Sequence, residues 1–243
     1  TGLASWSASD GPIIFNARAG AKLKTQFSDP SSYTSDNASS EFNISPSSAS
    51  GPTRLIVRFD EQTYKPGQPD DTSNPLNPTF NCSLNSFARC GKDVTTGVTD
   101  KTAGVPFDVE VIATDFYYNR VSTNSTVRLD PSSQDGETGT QKTQVLELAT
   151  GATVYNMVLR AAGNPRSLTP VDLDGAITGY QSRGFALNAE ANPSKLVLLM
   201  PGEALSAGSL TGKSGQPDED DNNGDGIDSF VTGKVYRMKV KLT

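Results

Sequence analysis

Thr53-Arg54-Leu55-Ile56-Val57 returns near the end of the chain as Ser194-Lys195-Leu196-Val197-Leu198, 141 residues later. Thr102-Ala103-Gly104-Val105-Pro106-Phe107-Asp108-Val109-Glu110-Val111 returns as Val231-Thr232-Gly233-Lys234-Val235-Tyr236-Arg237-Met238-Lys239-Val240, 129 residues later. The offsets differ by 12, which places an insertion in the connection between the matched blocks. Working backwards, Glu41-Phe42-Asn43-Ile44-Ser45 matches Gly184-Phe185-Ala186-Leu187-Asn188. Phe15-Asn16 followed by Ala19-Gly20 likewise matches Tyr155-Asn156 followed by Ala162-Gly163. A period of this length is the mark of an array. Residues 1–51 read as the rear of one module and 52–192 as a complete module with a long inserted loop over 64–101. Residues 193–243 read as the front of a further module.

The modules are written in strands. Phe107, Val109, Val111 and Ala113 alternate with Asp108, Glu110 and Ile112, and Tyr236, Met238, Val240 and Leu242 alternate with Arg237, Lys239 and Lys241. Such a period of two sets one face in a core and the other in water. No window of a dozen residues keeps an apolar helical period, and 22 Gly with 15 Pro interrupt any attempt. The spacing predicts seven strands in the complete module, near 54–59, 105–114, 120–129, 142–149, 153–160, 166–172 and 183–189. Turn signals such as Asp135-Gly136, Ala162-Gly163-Asn164-Pro165 and Asp174-Gly175 separate them. This is the pattern of an all-β antiparallel sandwich. The serine-rich tract Ser28 to Gly51 reads as a solvated connection inside the first partial module.

Composition narrows the function. The formal charge is −6 and there is no histidine. An acidic chain without clustered Lys and Arg lacks the phosphate-neutralising surface that nucleic acid requires. No run of about 18 apolar residues is present to span a bilayer. A first residue of Thr1, inside a module, suggests processing or a window of a longer polypeptide. Cys82 and Cys90 lie eight apart in a polar connection. That spacing suits a disulfide closing a small hairpin, the alternative being two free thiols, and a bond would imply an oxidising compartment. Neither His nor further Cys is available to complete a zinc site.

The blocks Lys195-Leu196-Val197-Leu198-Leu199-Met200-Pro201-Gly202-Glu203 and Thr102 to Asp115 carry a resemblance. They resemble the recurring "LxVLLPGE…TAGxPFxVxVxAxD" wording of bacterial immunoglobulin-like (Big-type) repeats in very long surface proteins. Asp115-Phe116-Tyr117-Tyr118-Asn119 is similar to the Asp-x-x-x-Asn turn after the second strand of those repeats, with Tyr118 where Gly is frequent. The resemblance covers nearly the whole chain in outline, and its motifs are specific over these two blocks. It implies tandem immunoglobulin-like antiparallel β-sandwiches, an extracellular or cell-surface place, a structural or adhesive role and no catalytic residues.

One constellation points to a metal. Asp221, Asn223 and Asp225 alternate along a loop and Gly226 follows. Hard oxygen ligands two apart can converge on Ca2+, with Gly permitting the sharp turn. The twelfth position is Thr232 rather than Glu, so Asp228 or Asp220 would complete the shell; the alternative is a solvated acidic loop tip. Gly208-Ser209-Leu210-Thr211-Gly212-Lys213-Ser214 imitates a phosphate loop, but Ala207 replaces its first Gly and Pro217 blocks the helix that such a loop needs. Asp70-Asp71 could be imagined as an acid–base pair. Without histidine, however, no Ser-His-Asp or Cys-His arrangement exists in this chain. Tyr117 and Tyr118 are the aromatics expected to be exposed, with a turn as their first explanation. Asn37, Asn43, Asn81 and Asn124 head Asn-x-Ser/Thr patterns, which support surface placement.

The expectation is therefore a non-enzymatic spacer, adhesin stalk or filament/sheath subunit whose partners are neighbouring modules or subunits of the same protein. The alternative is a ligand- or carbohydrate-binding accessory module of a secreted enzyme, which would need an aromatic platform. The tail supplies two strands and no third, so Tyr236, Met238, Val240 and Leu242 are expected to be covered. Either a continuing chain or a strand donated by a neighbouring subunit would cover them.

Overall fold

The computed structural model describes residues 14–23, 39–47, 51–70, 80, 82, 90–93, 97–132, 142–191, 195–209, 211–217, 230, 232–233 and 235–242. Every regular element among them is a strand. In chain order these are β1 (Arg18–Ala21), β2 (Phe42–Ile44), β3 (Arg54–Phe59), β4 (Lys101–Thr102), β5 (Phe107–Thr114) and β6 (Thr126–Pro131). Then follow β7 (Lys142–Val145), β8 (Ala152–Met157), β9 (Gly163–Arg166), β10 (Leu168–Asp172) and β11 (Thr178–Gly179). The last are β12 (Phe185–Asn188), β13 (Leu196–Leu199), β14 (Ala204–Leu205), β15 (Lys213–Ser214) and β16 (Lys239–Leu242).

The middle region is built as facing sheets. One is ordered β11-β3-β5-β8; opposite it lie β10-β6-β7 and β4-β12-β9. Leu55, Val57 and Phe59 from β3 meet Val109, Val111 and Ala113 from β5 and Tyr155 and Met157 from β8. Val127, Leu129, Leu168, Phe185 and Leu187 close the core from the other side. Each fully buried large apolar side chain contributes about 1.5–3 kcal/mol. Tyr155 hands its hydroxyl across the core to the Val127 carbonyl at 2.6 Å, so its one polar atom is satisfied inside. The strand expected over 166–172 is β10, and an unexpected strand, β9, stands just before it in another sheet, the chain passing from one to the other at Ser167.

Three expectations change. The strand expected over 120–129 begins only at Thr126. Two short pairings, β11 with β3 and β12 with β4, are parallel, because each strand arrives after the chain has crossed the sandwich. The outer face of β5 is not left to water. Ile112 is fully buried because Phe80, Cys82, Cys90 and Tyr118 form a second cluster over it with Ile56, and Glu110 is nearly buried between Arg58 and Arg120, which it pairs at 2.6 and 2.7 Å. The 64–101 connection is thus partly a second layer on the sheet, and the outer face of β5 runs from exposed Asp108 through ion-paired Glu110 to Ile112 in a second core.

The matched stretches of sequence pair in matching registers. Leu55 faces Ala113 in the β3–β5 pair, and their counterparts at the two offsets, Leu196 and Leu242, face each other in β13–β16. After β3, the Gln62 amide reaches the Phe59 carbonyl at 2.9 Å while the Gln62 side chain accepts from the Phe59 amide. After β13, Glu203 treats Met200 in the same two ways. Tyr64 bridges Lys92, and its counterpart Leu205 pairs with Lys213. Anchored at these pairs, residues 66–90 align with 207–211 in the sequence, and 93–108 with 214–237. The difference of 12 between the offsets is the balance of two length differences of opposite sense, one in the stretch that holds the cysteines and one in the acidic stretch.

The rear pair repeats as well. In β9–β12, Arg166 faces Phe185 and Gly163 faces Leu187 across a bulge; in β1–β2, Ala21 faces Phe42 and Arg18 faces Ile44 across the same bulge. The structural match pairs Arg18–Ala21 with Gly163–Arg166, two residues displaced from the sequence match of Ala19-Gly20 with Ala162-Gly163. A bulge adds one residue to a single strand and so shifts such alignments.

Candidate functional site

The five residues after β5 form a densely hydrogen-bonded turn, and it holds a segment about a hundred residues away. Asp115, at the strand end, is buried, and its Oδ1 accepts the amides of Tyr117 and Asn119 at 2.8 and 2.9 Å. Aspartate side chains favour such local turns because they reach their own backbone two residues on. The turn needs one left-handed residue, and Tyr118 takes that conformation at φ 63°, where the resembling repeats often carry Gly. Burial of its ring, which is 0% exposed, compensates the local cost. The Tyr118 hydroxyl donates to Asp70, whose other oxygen accepts the Cys90 amide at 2.6 Å.

This turn fixes the Asn119 side chain. Its Nδ2 donates to Asp115 Oδ2 at 3.0 Å and to the Phe15 carbonyl at 2.8 Å, and its Oδ1 accepts the Ala17 amide at 2.8 Å. Asn119 so offers residues 15–17 one donor and one acceptor, as a neighbouring strand would. Asp115 Oδ2 also accepts the Ser47 amide at 2.8 Å. One turn of the middle region therefore holds both ends of the β1–β2 hairpin. Two open clefts flank the contact. One of 310 Å³ is lined by Phe15, Phe42, Ile44 and Gly67, and one of 470 Å³ by Ala17, Pro46, Tyr64 and Asn119.

Under the turn lies an aromatic layer stapled by the cystine. Cys82 and Cys90 are bonded, with Cα atoms 5.0 Å apart. Phe80 packs on Phe15 and Tyr117 with ring centres 5.0 Å away in each case. The Arg54 guanidinium lies 4.4 Å from the centre of Phe116 and 4.9 Å from that of Tyr118, while its Nη2 donates to the Phe80 carbonyl at 2.7 Å. Planar Arg suits such stacking because it is weakly hydrated. Of the aromatics expected to be exposed, Tyr118 is wholly buried and Tyr117 half-buried; Phe116 is the one that faces water. Phe116 apart, the described rings of this layer are buried or half-buried.

Burial also moves proton affinities. Desolvation pushes the Tyr64 and Tyr118 hydroxyls above the usual tyrosine value. It pushes the Lys92 ammonium down to about 8, although Nζ donates to the Val57 carbonyl at 2.7 Å. Lys213, which matches Lys92 in the pairing described above, is instead paired with Glu203 at 2.7 Å. Position 62, which aligns with Glu203, is Gln, so Lys92 is buried without that carboxylate.

Replacing Cys90 by Ser opens a ring of nine residues. The chain-entropy account assigns such a ring about 2–3 kcal/mol. We expect the urea midpoint of Cys90→Ser to fall accordingly, and reduction of the native protein to match it. A midpoint unchanged by both would mean that Phe80 and Tyr118 order the connection unaided.

Asp221, Asn223, Asp225 and Asp228, expected to hold Ca2+, lie outside the described residues, as do Asn37 and Asn81. Among the described residues, no group of three or more His, Cys, Asp or Glu could hold a metal ion. Asn43 and Asn124 are exposed. Among the described residues no helix is long and apolar enough to cross a membrane. Comparison with protein-family models, with curated proteins and with solved structures finds no match.

Sequence reasoning pointed to the Asp115–Asn119 turn as a motif but missed what it binds. The signal for Phe15 to Ala17 as its ligand is absent from the local sequence, because the contact joins distant segments.

Proposed function

We propose that this chain is a stretch of tandem immunoglobulin-like β-sandwiches from an extracellular protein whose work is mechanical: a spacer, adhesin stalk or filament/sheath subunit. The observation that carries the reading is the double recurrence of register. The front pair β3–β5 recurs as β13–β16, and the rear pair β9–β12 recurs, bulge included, as β1–β2. Two unrelated hairpins agree in register by accident easily. Two pairs agreeing in the order rear, whole, front, with the turn after each front strand also shared, favour modules in series. The cystine supports an oxidising compartment. The inward-facing aromatic layer favours this reading over a carbohydrate-binding accessory module.

A module in a stalk must unfold as a unit when pulled from its ends. Single-molecule stretching of the oxidised chain should give one dominant event for residues 52–192. Its gain in contour should be roughly 40–50 nm, from about 3.3–3.6 Å per residue less the folded length and the cystine ring. Many small steps without that increment would overturn the reading, as would one increment spanning the entire chain.

A further inference from the structure

Two glycines at the same place in two copies press on the same place in the copy before. Gly67 follows β3 at φ +70°, and a Cβ there would stand 2.6 Å from both the N and Cα atoms of Asn16. Its counterpart 141 residues later is Gly208, at φ +78°, where a Cβ would stand 2.8 Å from Ala161 N and 2.9 Å from Ala161 Cβ. By the register of the rear pairs, though not by the sequence match of Asn16 with Asn156, Asn16 and Ala161 are themselves counterparts, each standing two residues ahead of a bulged strand, β1 or β9. Real side chains do not approach backbone so closely, so only glycine lets these segments meet.

We infer that this contact is a module–module joint used twice in the chain, with the rear pair of the preceding module as its partner surface. The inference rests on the tandem reading. At the first junction the joint has two parts: Gly67 lets the backbones touch, and Asn119 with Asp115 locks Ala17 and Ser47 by hydrogen bonds at 2.8 Å. The Gly67 amide donates to the Tyr117 carbonyl at 2.9 Å, which ties the glycine to the turn that carries Asn119. Steric contact and hydrogen bonds act from different segments on one short stretch, so they set the direction as well as the distance. A joint built this way fixes the rotation of one module on the next, and a series of them makes a stalk of constant pitch. The partner is recognised through backbone, so its side chains can differ between copies, as Asn16 and Ala161 do.

Amide hydrogen exchange of the full oxidised chain tests this residue by residue. In the native chain the Ala17 and Ser47 amides are expected to be protected. Gly67→Ala should speed both by at least about tenfold and leave the β5 amides within about twofold. Gly104→Ala and Gly175→Ala share the positive φ but have open space where the Cβ would go, so they should leave Ala17 and Ser47 unchanged. Asn119→Ala should release Ala17 more than Ser47, and it keeps the test decisive if Gly67→Ala fails to fold. Gly208→Ala should perturb the amide resonances of residues 159–163 and not Ala17. Unprotected Ala17 and Ser47 in the native chain would overturn the joint, as would equal effects of Gly67→Ala and Gly104→Ala. A silent Gly208→Ala would overturn its repetition. Any of these results with the stretching event of 52–192 intact sinks the joint alone; loss of that event sinks the tandem reading.

Discussion

Leu55→Ala is expected to lower the unfolding free energy by about 2–5 kcal/mol, whereas Leu196→Ala should change it by less than about 0.5 kcal/mol. The two leucines align at the 141-residue offset, and each faces its partner in the same register. Their surroundings differ. Leu55 is 0% exposed, packed between β5 and the opposite sheet, while Leu196 is 72% exposed. Removing three carbons from the first site leaves a cavity that the sheets on both sides resist filling, and removing them from the second costs little beyond solvated surface. Val111 and Val240 form a second such pair, buried and exposed respectively. Urea denaturation followed by circular dichroism would measure both substitutions in each pair. Equal losses at Leu55 and Leu196 would mean that the β13–β16 face is covered in solution as the β3–β5 face is covered here.

Stability should rise between about pH 8 and 10, against the usual alkaline decline. Burial depresses the Lys92 pKa to about 8 from its ordinary 10.5. Below the folded value both states carry the proton, and the folded state bears the full cost of a buried ammonium. Between the two values the unfolded chain binds more protons, so raising the pH favours the fold. At about 1.4 kcal/mol per pH unit the relief is on the order of 3 kcal/mol. Three tyrosines act with the opposite sign. Tyr64, Tyr118 and Tyr155 are pushed up, chiefly by desolvation, so their contribution is whole below pH 10 and is lost as pH climbs above it. The curve should therefore crest near pH 10. Gln62→Glu, which installs the carboxylate that Glu203 presents to Lys213, should raise the Lys92 pKa and remove the rising limb. Thermal denaturation from pH 7 to 11 would show it; a flat profile in the native chain would mean that Lys92 reaches water.

Much of the architecture was legible along the chain. Alternating apolar residues placed β3, β5, β8 and β12 close to where they lie, and the recurrence of Leu-Ile-Val as Leu-Val-Leu anticipated a second front pair. Short elements were not legible. β4 and β11 have two residues each, too few to show a period, and they exist because a longer strand lies beside them. The burial of Glu110 and Ile112 was misread because alternation reports which side chains share a face, not how many faces are covered. Asp115 and Asn119 stood out as a motif whose ligand, the Phe15 to Ala17 backbone, carries no side-chain signal. Gly67 and Gly208 coincide at the 141-residue offset, so the repeated glycine was there to be seen; the contact it makes was not.

The division follows from what each level of structure requires. Strand identity, pairing partner and register depend on neighbouring segments and on which positions are apolar, and these properties travel with the sequence whenever it is copied. That is why β3–β5 and β13–β16 agree residue for residue in their pairing. Burial depends on what distant segments deliver to the other side of the sheet. In the middle region β6, β10 and β12 cover Leu55 and Val111, and Phe80 with the cystine covers Ile112. No described segment does the same for Leu196 and Val240. The local code marks a face as fit for a core, and only the tertiary structure decides whether the face becomes one, because the hydrophobic free energy is released when a second surface removes the water.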